Sequence, residues 1–456
     1  MTKPQPSVIH PKNTNRRSVW MVIISLCVVG LIFGAISLAF LFESPSIRYK
    51  FGWDKVMLRT GKIVGLTAAI LLLLQLPIAG RLKFLDRVFS LPWLYRMHRS
   101  IGYTIGLLIV LHPVLITLPE DRLMIPFETR YWPEWVGATL LLAILSQIAL
   151  GRWRSVLIKN YKTWLQLHRF VGFTILALLM THVLYVSETF QYEGLPRNAA
   201  LIAALFAFFL WITIRGQRMW VKKKPFVVSE TKPVGKNAYA IDIKPVTPNS
   251  FTYLPGQFAF FSFVSDKLST EWHPFTLTSA PTRTDNLQIV VHRCGDWTNR
   301  INRVQKDDRI YVHGPFGRFS YVFEPMDREV IMIAGGIGIT PMLSMLRTMA
   351  DNEDKRRITL LWSNKTIHHL FYQDELSAVS KKLASFTWTP IFTEHREQTG
   401  EFGRLTEEKL KTLLAKRLRN AVVFLCGPPE MIRQVRSHLI TLGFSAQSIK
   451  EELFGL

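Results

Sequence analysis

The chain has 456 residues, of which 48% are hydrophobic, and a formal net charge of +23. That length allows two or three domains, and the excess positive charge sits largely in short segments between apolar runs, a distribution that argues against nucleic acid as a partner. Cys27, Cys294 and Cys426 lie far apart with no CxxC spacing, which excludes a disulfide framework and the cysteine-built zinc and iron–sulfur sites.

Residues 1–19 form a basic tail. It precedes an apolar run with no small-x-small cleavage pattern, so the run is expected to be an uncleaved first span. Further runs of membrane-spanning length follow, giving candidate spans at 20–42, 62–80, 98–118, 135–150, 168–187 and 198–214. The fourth and sixth are short for a ~30 Å hydrocarbon layer and need flanking residues. After about residue 220 the chain turns into a mixed polar sequence of the kind soluble domains use. Six spans leave both ends of this region on one side. Lys and Arg number four in the tail and five each in 80–99, 151–169 and 215–224, against five, two and one in 43–62, 119–134 and 187–197. This bias places both termini in the cytoplasm and makes spans three and five parallel, although the loop 43–62 runs against it.

Titratable residues inside a span are costly and mark function. Span three carries His98 and His112, and span five carries His168 and His182, each pair fourteen residues apart. Fourteen residues are close to four turns, so each pair shares a helix face with ~21 Å between its members. His98-Arg99-Ser100-Ile101-Gly102-Tyr103-Thr104 returns as His168-Arg169-Phe170-Val171-Gly172-Phe173-Thr174. Gly102 and Gly172 would let a flat macrocycle approach, and Arg99 and Arg169 could meet its carboxylates. Interhelical packing donors are the alternative reading for the histidines, and a non-haem metal is another. No acidic or cysteine ligand accompanies the set, so two bis-histidine haems fit it best.

From about residue 225, β-rich runs at 225–229, 238–243, 257–263, 287–292 and 309–312 alternate with turns, predicting a small antiparallel barrel over 221–324. Over 325–456 the pattern becomes strand then helix, with strands expected at 329–334, 357–362 and 420–425. Gly335, Gly336 and Gly338, with Thr340 and Pro341, form a turn that can bring helix N-terminal amides to a pyrophosphate, although its spacing matches no dinucleotide fingerprint. Cys426, Gly427 and Pro428 make a second tight turn at the same expected sheet edge.

His273-Pro274-Phe275-Thr276-Leu277-Thr278-Ser279-Ala280-Pro281, His292-Arg293-Cys294-Gly295-Asp296-Trp297-Thr298, Gly314-Pro315-Phe316-Gly317 and the two later turns resemble the ferredoxin–NADP reductase fold as used in the NADPH oxidase and ferric reductase superfamily. The paired histidines resemble the membrane domain of that superfamily, so the likeness covers nearly the whole chain. It is nearest to bacterial members without calcium-binding additions. The resemblance implies a six-span α-helical membrane bundle (20–220), an FAD-binding antiparallel β-barrel and an α/β nicotinamide-nucleotide-binding domain. His273, Pro274, Phe275, Thr276 and Ser279 would lie by the flavin, with Arg293, Gly295, Asp296, Trp297 and Thr298 at its phosphates. Turn capping is the alternative for the hydroxyl residues, and a solvated position for His273. The nicotinamide nucleotide would lie over Gly335–Pro341 and by Cys426, with Ser363 and Lys365 near the ribose. Lys365 could neutralise a 2′-phosphate and favour NADPH, with NADH also possible, or be merely solvated. Phe454 would stack on the flavin, or pack into the core.

The function this implies is electron transfer from cytoplasmic NADPH through FAD and two b-type haems to an outer acceptor, with dioxygen yielding superoxide as the leading product. Chelated ferric iron and a separate redox protein are the alternative acceptors. The expected location is the bacterial inner membrane, as a multi-pass protein surrounded by lipid. A transporter with an appended flavin sensor would need broken spans at mid-membrane, which this sequence does not offer.

Overall fold

The structure is a computed structural model describing residues 14–453 apart from 121–124, 159, 187, 192–193, 223, 248–250, 266–267, 284–285, 398 and 415–419. It divides into two compact units, one of residues 16–217 and one holding residues 218–456, close to the boundary expected near residue 220.

The first unit is helical: α1 (Thr14–Leu41), α2 (Gly52–Ala79), the short α3 (Lys83–Phe89), α4 (Leu91–Thr117), α5 (Trp132–Arg152), the single turn α6 (Arg154–Leu157), α7 (Tyr161–Val186), the single turn α8 (Glu188–Gln191) and α9 (Leu195–Lys222). Six of these are long and apolar enough to cross a bilayer. The fourth and sixth spans take in flanking residues and reach 21 and 28 residues as α5 and α9. Leu26, Phe33, Leu107, Val114, Leu142 and Phe209 are exposed on these helices, a surface that suits lipid. The corner into α4 is built by Ser90, at φ +68°, and by Asp86, whose Oδ1 accepts the Leu91 N–H at 2.8 Å. Helix α2 packs along α4 and α5 along α7. The contacts run antiparallel, Gly61 lying by Ile116 while Gln75 reaches His98.

The second unit holds two sheets. The first comprises β1 (Phe226–Gly235), β2 (Ala238–Pro245), β3 (Phe258–Val264), β4 (His273–Thr276), β5 (Leu287–His292) and β6 (Arg309–Phe316), in the antiparallel order β4-β3-β6-β1-β2-β5. Its edge strands approach each other through a single bridge, Leu277 to Ile289, and the Thr278 N–H to the Gln288 carbonyl at 2.8 Å. Its inner face buries Phe226, Ile241, Phe261, Phe263 and Ile310.

The second sheet comprises β7 (Glu329–Gly335), β8 (Ile358–Asn364), β9 (Phe386–Phe392), β10 (Glu401–Phe402), β11 (Ala421–Gly427) and β12 (Ile449–Leu453), in the order β10-β9-β8-β7-β11-β12 with every pairing parallel. Helices α10 (Ile339–Asp351) and α11 (Gln373–Lys382) cover one face, and α12 (Glu407–Leu414) and α13 (Pro429–Thr441) the other. Strands covered on both sides must be apolar along their whole length, as Val330–Ala334 and Ala421–Cys426 are. The crossovers leave β7 towards β8 and return to β11 on its other side. The carboxyl ends of β7 and β11 therefore form the switch point at which such sheets bind ligands.

Candidate functional site

The four membrane histidines come together in twos. His98 on α4 faces His168 on α7 with ring centroids 6.2 Å apart, and His112 faces His182 at 6.4 Å. The Nδ1 of His112 lies 2.9 Å from the Gly61 carbonyl, and that of His182 lies 3.4 Å from the Pro133 carbonyl. If Nδ1 is engaged as an N–H, Nε2 is left as the nitrogen of each ring with a lone pair that could ligate a metal. A Cβ on Gly65 would stand 2.7 Å from the His112 ring, and one on Gly137 would stand 2.5 Å from that of His182, so these two positions admit only glycine if the rings keep their places. Around the first pair, Gln75 donates to the His98 carbonyl at 3.2 Å and Gln147 to the His168 carbonyl at 2.7 Å.

Gly102 has open space where a Cβ would be, and at Gly172 the nearest atom is Gln147 Nε2 at 3.6 Å. Arg99 is exposed and Arg169 half-buried. Among the described residues no three His, Cys, Asp or Glu side chains gather as a metal cage. The histidine pairs offer two ligands each, a donor set that suits a metal whose other positions are filled by a macrocycle.

The sequence reading missed Gly61, Gly65, Gln75, Pro133, Gly137 and Gln147. Their signal was available: Gly65 and Gln75 recur as Gly137 and Gln147 at an offset of 72, beside the offset of 70 relating the histidines. The repeat is therefore a helix pair, α2–α4 returning as α5–α7.

In the second unit, β4 aligns Thr276 with Phe258 and Phe275 with Ala259 on β3. Thr276 Oγ1, His273 Nε2 and Arg293 Nε are buried without a hydrogen-bond partner. Orphaned polar atoms are rare in a native fold, and those of Thr276 and Arg293 fit a polar ligand. His273 Nε2 has only the Glu271 carboxylate, at an ion-pair distance of 3.4 Å; burial holds the imidazole below its ordinary value against the pull of that carboxylate. Trp297 stacks on His273 at 4.2 Å and donates its indole N–H to the Ser269 carbonyl, fixing one wall. The half-buried Phe275 stands 6.1 Å from the Trp297 ring. The adjoining loop is ordered by the Cys294 N–H on Thr298 Oγ1 and the Asn299 N–H on the Gly295 carbonyl, with Asp296 and Pro274 exposed.

Ser279 is employed inside the fold. Its hydroxyl shares a 2.7 Å hydrogen bond with Tyr253 and accepts the Gln288 N–H. Burial pushes the Tyr253 phenol up to about 12, so it stays neutral. Close by, Arg347 on α10 ties the two sheets together. It forks onto Glu375 at 2.6 and 2.7 Å and donates to the Thr278 carbonyl and Gln288 Oε1, both at 2.8 Å.

The two glycine turns are brought into contact at the switch point. A Cβ on Gly338 would lie 2.3 Å from the Cys426 carbonyl oxygen, and one on Gly427 would lie 3.0 Å from the Gly335 Cα. Only glycine permits this backbone-to-backbone approach. Trp362 pins the turn by donating to the Gly336 carbonyl at 2.9 Å, and Thr340 Oγ1 donates to the Ile337 carbonyl at 3.0 Å. Pro341 is buried in the first turn of α10, Pro428 is exposed, and Ser363 lies in register with Gly335.

Two expected residues do not stand free. The Cys426 side chain is wholly buried, and burial, with Glu452 adding to it, raises its thiol well above the ordinary value. It is a neutral core thiol, and any contribution from this position comes through its backbone. Lys365 is 2.9 Å from Glu394 in an exposed ion pair. Phe454 lies outside the described residues.

Comparison with known proteins matches three family models: ferric reductase like transmembrane component over residues 64–180, FAD-binding domain over 227–333 and oxidoreductase NAD-binding domain over 332–437. NADH-cytochrome b5 reductase 1 of Eremothecium gossypii is 30% identical over 267 residues, covering 54% of this chain and 92% of that protein. The reductase component of propane 2-monooxygenase from Mycolicibacterium smegmatis is 28% identical over 214 residues, 45% of this chain, and the match spans only 60% of that protein. A flavohemoglobin crystal structure from Malassezia yamatoensis aligns with a TM-score of 0.50 at 17% identity, over 90% of this chain and 99% of that one, a likeness of fold alone.

Proposed function

The chain belongs to the superfamily that joins a ferric-reductase-like transmembrane component to an FAD- and NAD(P)H-dependent oxidoreductase module, and we propose that the whole protein carries electrons from cytoplasmic NADPH across the membrane to an acceptor on the outer side. When bound, FAD supplies the conversion of a two-electron hydride into single electrons, and two b-type haems supply the one-electron relay.

The observation that carries this reading is the pair of facing imidazoles at 6.2 and 6.4 Å, repeated at two levels. An imidazole–metal bond is about 2 Å, so two rings ligating one ion from opposite sides bring their centroids to roughly 6 Å. His98 and His168 would hold the haem towards the cytoplasmic side of the spans, as the loop charges orient them, and His112 and His182 the outer one. Arg99 and Arg169 would serve the propionates of the inner haem.

In the module, the buried Thr276 Oγ1 and Arg293 Nε have no hydrogen-bond partner, and His273 Nε2 has only the Glu271 carboxylate at 3.4 Å, which supports a polar ligand at these residues. Thr276 and His273 would orient the isoalloxazine, Phe275 and Trp297 would exclude water from it, and Arg293 with the Gly295–Thr298 amides would take the phosphates. The first sheet is inferred to close as a barrel through the Leu277–Ile289 bridge. Gly335–Thr340 would hold the nicotinamide nucleotide's pyrophosphate at the N-terminus of α10. The charge bias of the loops supports a cytoplasmic module with both termini on that side, and the resemblance to bacterial members supports the bacterial inner membrane as the location.

Dioxygen, reduced to superoxide, is the acceptor preferred here. The ferric-reductase-like match over 64–180 supports chelated ferric iron as the second reading. The ligand assignment is tested by His98→Ala and His168→Ala in the full-length protein: each is expected to lose the inner haem and keep flavin reduction by NADPH. Unchanged haem content in both variants would remove the assignment.

A further inference from the structure

The second nitrogen of the four histidine rings is treated differently at the two levels. In the outer pair, Nδ1 of His112 and of His182 meets a main-chain carbonyl, from Gly61 and Pro133. In the inner pair, Nδ1 of His98 and of His168 is buried and has no partner. One helix away in each case stands a glutamine whose amide N–H already reaches the backbone of that same histidine: Gln75 at His98 and Gln147 at His168. The Oε1 of Gln75 and the Oε1 of Gln147 are likewise buried without a partner.

A ring N–H and an amide oxygen, both buried, both unsatisfied and belonging to residues already joined by a hydrogen bond, are complementary. The coincidence occurs twice, at positions related by the helix-pair repeat. When Nε2 ligates a metal, Nδ1 carries the proton and needs an acceptor, whose strength sets how strongly the imidazole donates to the metal.

We propose that Gln75 and Gln147 are positioning residues for the inner haem, each accepting the Nδ1–H of its histidine and thereby setting the ligand strength, and so the reduction potential, of that haem independently of the outer one. This rests on the bis-histidine haem reading above. A fixed backbone carbonyl serves the outer pair, and an amide side chain serves the inner pair. The inner potential can therefore be tuned by sequence without moving the helices.

The test uses full-length, FAD-loaded protein in detergent or nanodiscs, with the two haem potentials read by spectroelectrochemical titration and the low-spin ferric signals by electron paramagnetic resonance. Gln75→Met and Gln147→Met each remove one acceptor, would weaken the histidine it serves as a ligand, and are expected to raise the inner potential. The double variant should raise it by close to the sum of the single shifts, because both ligands serve one iron, while the outer wave stays in place. Gln75→Glu keeps an acceptor of the same reach and is expected to leave the inner potential at or below the wild-type value. If a Met variant loses the inner haem alone and the Glu variant retains it, the positioning role also stands. An inner potential that does not move, or shifts of equal size in both waves, would overturn the proposal. So would equal loss of both haems in the Met and Glu variants, which would mark the glutamines as general packing residues. Wild-type protein that binds no haem would instead defeat the underlying reading.

Discussion

Thr276 is 5% exposed, and its hydroxyl finds no partner within the fold. A buried hydroxyl that bonds only to a ligand contributes about 1.4 kcal/mol when it does, or roughly tenfold in affinity. Thr276→Val, which keeps the shape, is therefore expected to weaken FAD binding about tenfold without lowering the stability of the FAD-free protein. Isothermal titration of the apoprotein would check this, and undiminished affinity would remove Thr276 from the site. Lys365 presents a competition between two anions. Its ammonium is paired with Glu394, so a 2′-phosphate must displace or share that contact. Lys365→Ala is expected to raise the KM for NADPH more than that for NADH, and an equal rise would reject the 2′-phosphate role. Thr276 and Lys365 could be singled out from sequence because each sits in a motif whose residue types match a ligand's chemistry; their roles rest on the two tests above. The employment of Ser279 by Tyr253 could not, because the partners lie 26 residues apart and meet only in the fold.

At the scale of elements, the spans and the three strands β7, β8 and β11 of the parallel sheet were legible because apolar length and continuous apolar runs are local signals. Four strands were not. His273–Thr276 carries a proline and lies at the sheet edge, Phe386–Phe392 is interrupted by Pro390, Glu401–Phe402 is only two residues long, and Ile449–Leu453 carries a lysine and two glutamates. The helix-pair repeat escaped for another reason: its offset changes from 72 in α2/α5 to 70 in α4/α7, so a search at one period finds only half of it. The contact between α10 and the first sheet also depends on the fold. Arg347 is 8% exposed and holds Glu375 on one side and the Thr278–Gln288 segment on the other. Glu375 is 30% exposed, so losing its partner leaves a charge that water can reach, and the loss of the charge-assisted hydrogen bonds of Arg347 costs about 2 kcal/mol. Arg347→Met should accordingly lower stability by about that amount and slow hydride delivery to the flavin, since Thr278 lies two residues beyond Thr276. Denaturant unfolding and anaerobic stopped-flow flavin reduction would measure the two effects. A variant as stable and as fast as wild type would show that this contact is idle.

For the whole molecule, the proposed function divides the chemistry by solvent. Hydride exchange belongs to a water-facing module that can bind and release a nucleotide. On the proposed function, one-electron relay would belong to helices whose outward faces suit lipid and whose histidines face each other. That division was readable from composition alone, since apolar runs stop near residue 220 and strand–turn–helix patterning begins. The acceptor was not readable, because no loop among the described residues gathers a metal cage that would name it. The central claim is that electrons from NADPH reach paired-histidine haems through the flavin. Its most direct test is anaerobic addition of NADPH to purified, FAD-loaded full-length protein while the haem spectrum is recorded, followed by oxygen in the presence and absence of superoxide dismutase. The account predicts a low-spin haem spectrum that becomes reduced, then a superoxide signal that the dismutase abolishes. A protein with no haem spectrum, or one whose haem stays oxidised while the flavin is reduced, would contradict it.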